Sequence, residues 1–466
     1  MVTIVASCNT GEPARTGVRG PPLVETRDFG SGARLHARAW EVDGALVLRD
    51  FFDSARGEAC SFVEDGTWHI GPGPTYWCLP LRLAHHDLGF GPFALFSDSA
   101  CTERVALSPR GGPATYAVVR PPDACASAPS VHHAGEPEMI APWIFDGTGC
   151  RRAPAPLMVQ RLGDAVPLES FARATERVED RGSRIGSLLA VADDGAWMTL
   201  GAVDLERSEA VRIDEPRAGS LRWVPARVAF EGAGQELFGD VTCAVSVPTK
   251  IARDAVCPLT AVLVFEDECG AARFHALGQP LASQRLHARD ARDACVPYSG
   301  GGVLAFELGA PLPPSALAPA FAVDVGGDEV RRRGYAGAGG DVATWGDLVD
   351  VATREPCTPT VAYDGSRRCL PVASASITLF ADDACTIPAF EQPVSTCDAG
   401  TAPPRLVQSA SDDGARVFEV TGEARELFDA SSGSCLRHVS VVPSRGYRVR
   451  EVGVARFPQV GERELP

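Results

Sequence analysis

The residue types able to do chemistry in this chain are histidines, carboxylates, serines beside glycine, and cysteines. His85-His86-Asp87, and His132-His133 followed by Glu136 and Glu138, have the donor types of a metal centre. Adjacent residues of a strand point to opposite faces, so each doublet offers at most one imidazole to a shared ion. Ordinary loop or strand histidines are the plainer expectation. Asp53, Asp98, Asp146, Asp240, Asp267, Asp382 and Asp429 recur at one place, the acidic end of a short apolar run. That fixed place suits a turn in which the side chain accepts a backbone N–H, not a carboxylate array, and the Asp-x-Asp-x-Asp-Gly calcium loop does not occur.

Tyr298-Ser299-Gly300-Gly301 and Ser432-Gly433-Ser434 are the Ser-Gly clusters that bear on nucleophilic catalysis, and neither forms a Gly-x-Ser-x-Gly elbow. Gly337 to Gly340 precede no helical pattern that would cradle a phosphate. Trp68, Trp77, Trp143, Trp197, Trp223 and Trp345 stand at repeat-related positions, where packing between sheets is expected over an aromatic binding platform. No catalytic residue, metal or cofactor is assigned on this basis.

The cysteines carry more information. There are fifteen, widely spaced, with no Cys-x-x-Cys to hold zinc, so disulfides and an oxidising compartment are expected. Trp77-Cys78-Leu79-Pro80, then Leu95-Phe96-Ser97-Asp98-Ser99-Ala100-Cys101, then Cys125, match Arg368-Cys369-Leu370-Pro371, then Leu379-Phe380-Ala381-Asp382-Asp383-Ala384-Cys385, then Cys397. An intermediate copy has Ala210 and Trp223 where the first has Cys60 and Cys78. Two half-cystines that vanish together form a bonded pair, because losing one would strand a thiol. The expected bridges are therefore Cys60–Cys78 and Cys357–Cys369. By the same local logic they continue as Cys101–Cys125, Cys243–Cys257, Cys269–Cys295 and Cys385–Cys397, with Cys150 and Cys435 left to bond each other.

The elements that must position these residues read as short strands. Ala33 to Val42 and Ala45 to Phe52 flank an Asp43-Gly44 turn, and Gly182 to Ala192 and Ala196 to Leu200 flank Asp193-Asp194-Gly195. Ala165 to Glu179 is the one stretch expected to support a short helix. Apolar strands ending in an acidic turn before a cysteine, or before its substitute, occur nine times in three triples. The mean step is roughly 47 residues, close to a four-stranded propeller blade. The expected fold is all-β: a β-propeller-like array of short four-stranded antiparallel sheets stapled by disulfides, with tandem β-sandwich domains as the alternative. The expected organisation is a tether at 1–24, triples at 25–180, 181–309 and 341–466, and a Pro/Gly-rich linker at 310–340.

Composition narrows the partners. A net charge of -16 with no basic run argues against nucleic acid. No apolar run reaches the ~18 residues of a membrane-spanning helix. Asn9, the only asparagine, is not in a glycosylation sequon. Val5-Ala6-Ser7-Cys8 is similar to a bacterial lipobox but lacks the basic and apolar regions before it. Cys8 is thus either a lipidation site or an incidental cysteine in a polar tether.

The Arg-Cys-Leu-Pro and Leu-Phe-x-Asp-x-Ala-Cys-Thr figure, at Arg368 to Pro371 with Leu379 to Thr386 and in part at Trp77 to Pro80 with Leu95 to Thr102, resembles that of a group of cysteine-containing exported proteins and lipoproteins of high-GC Gram-negative bacteria. That resemblance implies an envelope or secreted location and repeat character, and carries no activity to any residue. The expected function is an extracytoplasmic, monomeric binding or structural module with an envelope, glycan or protein ligand. The alternative is a secreted hydrolase or lyase using carboxylates and histidines on one face.

Overall fold

A computed structural model describes residues 28–465, except 63–74, 87–93, 110–111, 120–129, 146–148, 181, 215–220, 227, 231–236, 245, 248, 252–260, 266–271, 282–285, 290–292, 299–302, 341, 395–402, 412, 431–433 and 441–442. The described chain is almost entirely short β-strands in small, mostly antiparallel sheets, with three-residue 3-10 turns in place of α-helices.

Its construction starts from hairpins. Along Leu35–Val42 buried and half-buried residues alternate, as one covered face requires. Asp43 and Gly44, both at positive φ (48° and 79°), then return the chain into Ala45–Asp53. Glu58–Ser61 and Leu79–Pro80 complete a four-strand meander. The same meander recurs as Ile185–Ala192, Trp197–Asp204, Glu209–Asp214 and Arg222–Pro225. A third copy is Val330–Ala336, Val342–Asp350, Pro356–Val361 and Arg367–Pro371. Each meander takes a further strand on its outer edge from the unit before it, Arg173–Glu179 for the second and Phe321–Gly326 for the third. For the first meander that strand is Gly461–Glu464, paired with Leu35–Val42 from Glu41↔Gly461 to Arg38↔Glu464. The three meanders thereby form a closed cycle.

The hairpin tips close the same cycle. Asp194 of the second tip accepts the N–H groups of Arg34 (2.8 Å) and Leu35 (2.7 Å). Asp43 of the first tip accepts those of Glu329 (2.7 Å) and Val330 (3.1 Å). The third tip packs on Ser183 and Ile185 so closely that a side-chain carbon on Gly337 or Gly339 would lie 3.0–3.3 Å from them, which is why this tip is glycine where the others are acidic. Where the three units meet, Arg332 of the third meander grips Asp28 through both guanidinium ends (2.6 and 2.7 Å) and donates to the Leu46 carbonyl of the first (3.0 Å). Phe29–Gly30, next to Asp28, pairs with the second meander. One buried arginine thus ties the third unit to the first at a residue, Asp28, whose own carbonyl accepts the N–H of Thr199 in the second (2.7 Å).

Each meander is followed by a second body. In the first unit Leu83–His85, Val105–Leu107, Tyr116–Val119, Ser130–Ile140 and Leu157–Val166 close into a small barrel. Its interior is narrow enough to be lined by Ala84, Ala106, Ala114 and Ala117. Gln160, fully buried there, donates to the carbonyls of Ala114 (2.9 Å) and Gly135 (2.7 Å) and accepts the N–H of Ala114 (3.1 Å). Gln160→Leu strands these backbone groups and is expected to lower stability by about 2–4 kcal/mol. Urea unfolding checks it, and a loss under ~1 kcal/mol contradicts the role given to Gln160. The second unit repeats this strand order, and the third repeats it in part.

A three-strand ribbon completes each unit: Ala94–Phe96, Trp143–Phe145 and Cys150–Arg152; Leu237–Phe238, His287–Arg289 and Cys295–Pro297; Leu379–Phe380, Phe428–Asp429 and Leu436–Arg437. The disulfides follow these bodies. Cys60–Cys78 and Cys357–Cys369 staple neighbouring meander strands. In the second meander Trp223, 1 % exposed, fills the place of Cys78 by packing on Ile185, Ala202 and Val211. The ribbons are stapled by Cys101–Cys150, Cys243–Cys295 and Cys385–Cys435.

Several expectations are corrected here. Cys101, Cys243, Cys295 and Cys385 do not take the nearby partners Cys125, Cys257, Cys269 and Cys397, and Cys150 and Cys435 do not bond each other. The ribbon brings together cysteines 49 to 52 residues apart, because the barrel strands are inserted between its first and second strands. Cys8, Cys125, Cys257, Cys269 and Cys397 lie outside the described residues. Of the repeated sites, the first of each triple belongs to a meander and the next to a ribbon. Ala165 to Glu179 forms no helix: a 3-10 turn at Leu168–Ser170 leads into the strand Arg173–Glu179, whose pairing with Ile185–Ala192 outweighs local propensity. Residues 310–340, read from sequence as a linker, hold the edge strand Phe321–Gly326 and the first strand of the third meander, Val330–Ala336.

Candidate functional site

The histidine doublets are used locally. His86 is buried, with Nδ1 2.8 Å from the Val105 carbonyl and its ring edge-on to Phe96. His85 lies on the barrel strand Leu83–His85, and Asp87 is outside the described residues. His132 bonds Ser130 (3.0 Å) and the Gly163 carbonyl (3.2 Å), and His133 stacks at a tilt on Tyr116. Glu138 pairs with Arg161 (2.8 Å), and Glu136 stands on the same long strand. Among the described residues no three His, Cys, Asp or Glu converge as a metal centre would require.

The recurrent aspartates cap turns. In the ribbons Asp98 accepts the N–H of Thr102 (2.9 Å) and Glu103 (2.7 Å), Asp240 that of Ala244 (3.0 Å), and Asp382 those of Thr386 (2.9 Å) and Ile387 (2.7 Å). The turn lets Cys101, Cys243 and Cys385 adopt φ of 54°, 52° and 51°, which aims each thiol at the third ribbon strand. In the meanders Asp53 and Asp204 receive Arg34 and Arg184, and Asp350 accepts the N–H of Thr353 (2.8 Å). Asp429 lies in the third ribbon, while Asp146 and Asp267 lie outside the described residues.

Hydrogen bonds from the Thr386 hydroxyl and the Ile387 N–H hold the Asp382 carboxyl below the usual carboxylate range. The unfolded chain therefore takes up the proton first as pH falls. The stabilisation is fully present above the unfolded aspartate value, about 3.9, and is lost as pH drops through the lower folded value. Melting wild type and Asp382→Asn between pH 7 and 2 should give a stability gap that is flat at neutral pH and narrows in acid. A gap that widens on acidification would contradict this.

What sequence patterns did not reveal is a cleft of about 310 Å³ in the third unit. Strand Pro388–Pro393 brings Glu391 opposite Gly446 of Ser444–Val452, and Ala424 of Gly414–Ala424 pairs with the same glycine. The chain beyond Cys435 is pinned by the His438 N–H on the Leu427 carbonyl (2.7 Å). Gly446 is required here, because a side-chain carbon would meet Leu427 at 2.9 Å. In the floor His438 Nε2 stands 3.1 Å from Glu391 Oε2, Ser444 donates to Glu391 Oε1, and Ser440 supplies a further hydroxyl bond. These bonds, Ser444 first and then Ser440, hold the Glu391 carboxyl below its ordinary value. Arg437 on Glu426 (2.8 Å) and Arg445 near Glu423 (4.0 Å) flank the floor. Glu391 and His438 are 47 residues apart and meet only through the ladder, so no spacing in the sequence signals them. Of the Ser-Gly clusters, Ser434 immediately precedes Cys435 and is not among the residues lining the cleft, and Ser432, Gly433 and Ser299 to Gly301 lie outside the described residues.

This arrangement can bind polar groups through fixed charges and hydroxyls. Ser444 is not placed as the nucleophile of a serine relay, since the carboxylate, not the imidazole, accepts its hydroxyl.

A family model described as a family of unknown function matches residues 42–317 and, in a second overlapping placement, 162–459. Two shifted placements on one chain accord with meanders that open at Leu35, Ile185 and Val330. No curated protein and no solved structure matches the chain.

Proposed function

Since the chain belongs to DUF7481, a family of unknown function, we propose its role from its own geometry: an extracytoplasmic binding module, a disulfide-stapled β-scaffold that presents the third-unit cleft to a ligand. Five disulfides fit folding in an oxidising compartment, and no helix of the described residues is long and apolar enough to cross a membrane. The three-part division of the chain and lipidation at Cys8 belong to the same proposal. A basic, apolar leader in frame upstream of Met1 would support the anchor, and an immediate stop codon would remove it.

The observation that carries the reading is the Glu391 floor: a carboxylate fixed from three sides on hydrogen-bonded strands is preorganised, so a ligand meets it without ordering it first. The test is ligand-observed NMR on the intact, oxidised chain against glycans, peptidoglycan fragments and short peptides, with Ser444→Ala as the cleft variant. Binding that weakens in the variant supports the module; no binding by any class rejects it.

The His438–Glu391 contact also favours the second reading, a hydrolase or lyase, because an imidazole beside a carboxylate in an open cleft is a general acid–base pair. Turnover of a bound ligand that is lost in His438→Gln would establish it.

A further inference from the structure

We infer that the third-unit cleft takes a primary ammonium group, with the Glu391 carboxylate as its counter-charge. This rests on the cleft being a binding site and names the chemistry it selects.

The first argument is charge compensation. Glu391 is held by two serine hydroxyls and a histidine nitrogen, all of which can donate without carrying a formal charge. A carboxylate bonded to an arginine has its charge neutralised in place; one bonded first to two hydroxyls, which carry no charge, keeps most of it. Of the guanidinium groups that line the cleft, Arg437 is directed to Glu426 at 2.8 Å and Arg445 towards Glu423 at 4.0 Å, and Arg425, the third, is not among the groups bonded to Glu391. The floor of the cleft is therefore negative, while its flanks carry both signs.

Acceptor capacity gives the second argument. An ionised carboxylate has about four acceptor sites. Three are used by Ser440, Ser444 and His438, which leaves room for one more donor from the open side. Glu391 is depressed in pKa, so it stays ionised through the neutral range where a primary amine is protonated. A neutral hydroxyl ligand could use the remaining site, but it would leave the charge uncompensated. An anion would be repelled.

Primary ammonium groups occur on free peptide N-termini, on N-deacetylated amino sugars and on simple alkyl amines, and acetylation removes the charge of each. The experiment therefore uses matched pairs on the intact, oxidised protein: a tripeptide with a free or an acetylated N-terminus, a glucosamine or an N-acetylglucosamine oligomer, and 1-aminopentane or its N-acetyl amide, with sodium acetate as the anionic control. Calorimetry or ligand-observed NMR reads the affinities. The expected result is that at least one amine binds about ten- to a hundredfold more tightly than its acetylated partner, and that Glu391→Gln removes the preference. Glu103→Gln, on the exposed surface of the first unit and outside the cleft, should leave it in place, and an unchanged thermal melt shows that Glu391→Gln is folded.

Equal affinity for amine and amide, retention of the preference in Glu391→Gln, or binding of acetate in place of the amines each overturns the ammonium assignment. If a neutral or anionic ligand binds and is lost in Ser444→Ala, the binding module stands and only the ligand class falls. If nothing in either panel binds, both fall.

Discussion

Arg332→Met is expected to lower unfolding stability by about 3–5 kcal/mol, the largest loss from any single substitution discussed for this chain. The side chains of Arg332 and Asp28 are only 9 % and 14 % exposed, so removing the guanidinium leaves a carboxylate largely out of water without a counter-charge. The Leu46 carbonyl loses its donor, and the cation stacked 5.1 Å from the Trp345 ring disappears. Adding Asp28→Asn to Arg332→Met should recover much of the loss, because the cost lies mainly in stranding a charge. Urea unfolding of both single variants and the double variant measures the coupling. Additive losses would mean that the pair does not join the three units in the way described.

The second large effect concerns the ribbons. Cys385→Ser with Cys435→Ser should cost about 4 kcal/mol, and Cys357→Ser with Cys369→Ser about 3 kcal/mol, because the first bridge closes a separation of 50 residues and the second only 12. The ranking is the sharper part. A meander staple joins strands already adjacent in the ladder, whereas a ribbon staple joins two segments with barrel strands inserted between them. Paired thermal melts give the order, and peptide mapping without reductant should recover Cys101–Cys150, Cys243–Cys295 and Cys385–Cys435. A dominant Cys385–Cys397 peptide, or the reverse ranking, would refute this account.

These bridges also mark how far the sequence could be read. The paired absence of cysteine at Ala210 and Trp223 revealed a bonded pair, because a meander staple is local and both partners belong to one repeated figure. The Asp43-Gly44 and Asp193-Asp194-Gly195 turns were legible because hairpin tips need residues that tolerate positive φ. The aspartates before the ribbon cysteines likewise announced their turns. What failed was the assumption that neighbouring cysteines bond. Cys101 has Cys125 closer along the chain, yet Ala94–Phe96 pairs with Trp143–Phe145, and that pairing, set by long-range sheet register, selects Cys150. The mean step that suggested a propeller blade averages over a meander, a barrel and a ribbon of unlike size.

The cleft was illegible for the same reason. Glu391 and Ser444 stand on strands that pair, and Arg437 and His438 arrive on a segment pinned by one backbone hydrogen bond to Leu427. None of these residues has an unusual neighbour in sequence, and no motif encodes a convergence that depends on which strands are adjacent. The histidine doublets, conspicuous by their spacing, turned out to serve single carbonyls and a ring stack.

Pairing Gly461–Glu464 with Leu35–Val42, and Ser31 with the Leu465 carbonyl across a separation of 434 residues, has a consequence for biogenesis. Residues 35–42 leave the ribosome long before their outer neighbour exists, so the opening meander travels with a bare strand edge until residues 461–464 have been synthesised. During that interval the nascent chain is a template for wrong pairing with itself or with its siblings, and only arrival of the far segment removes the hazard.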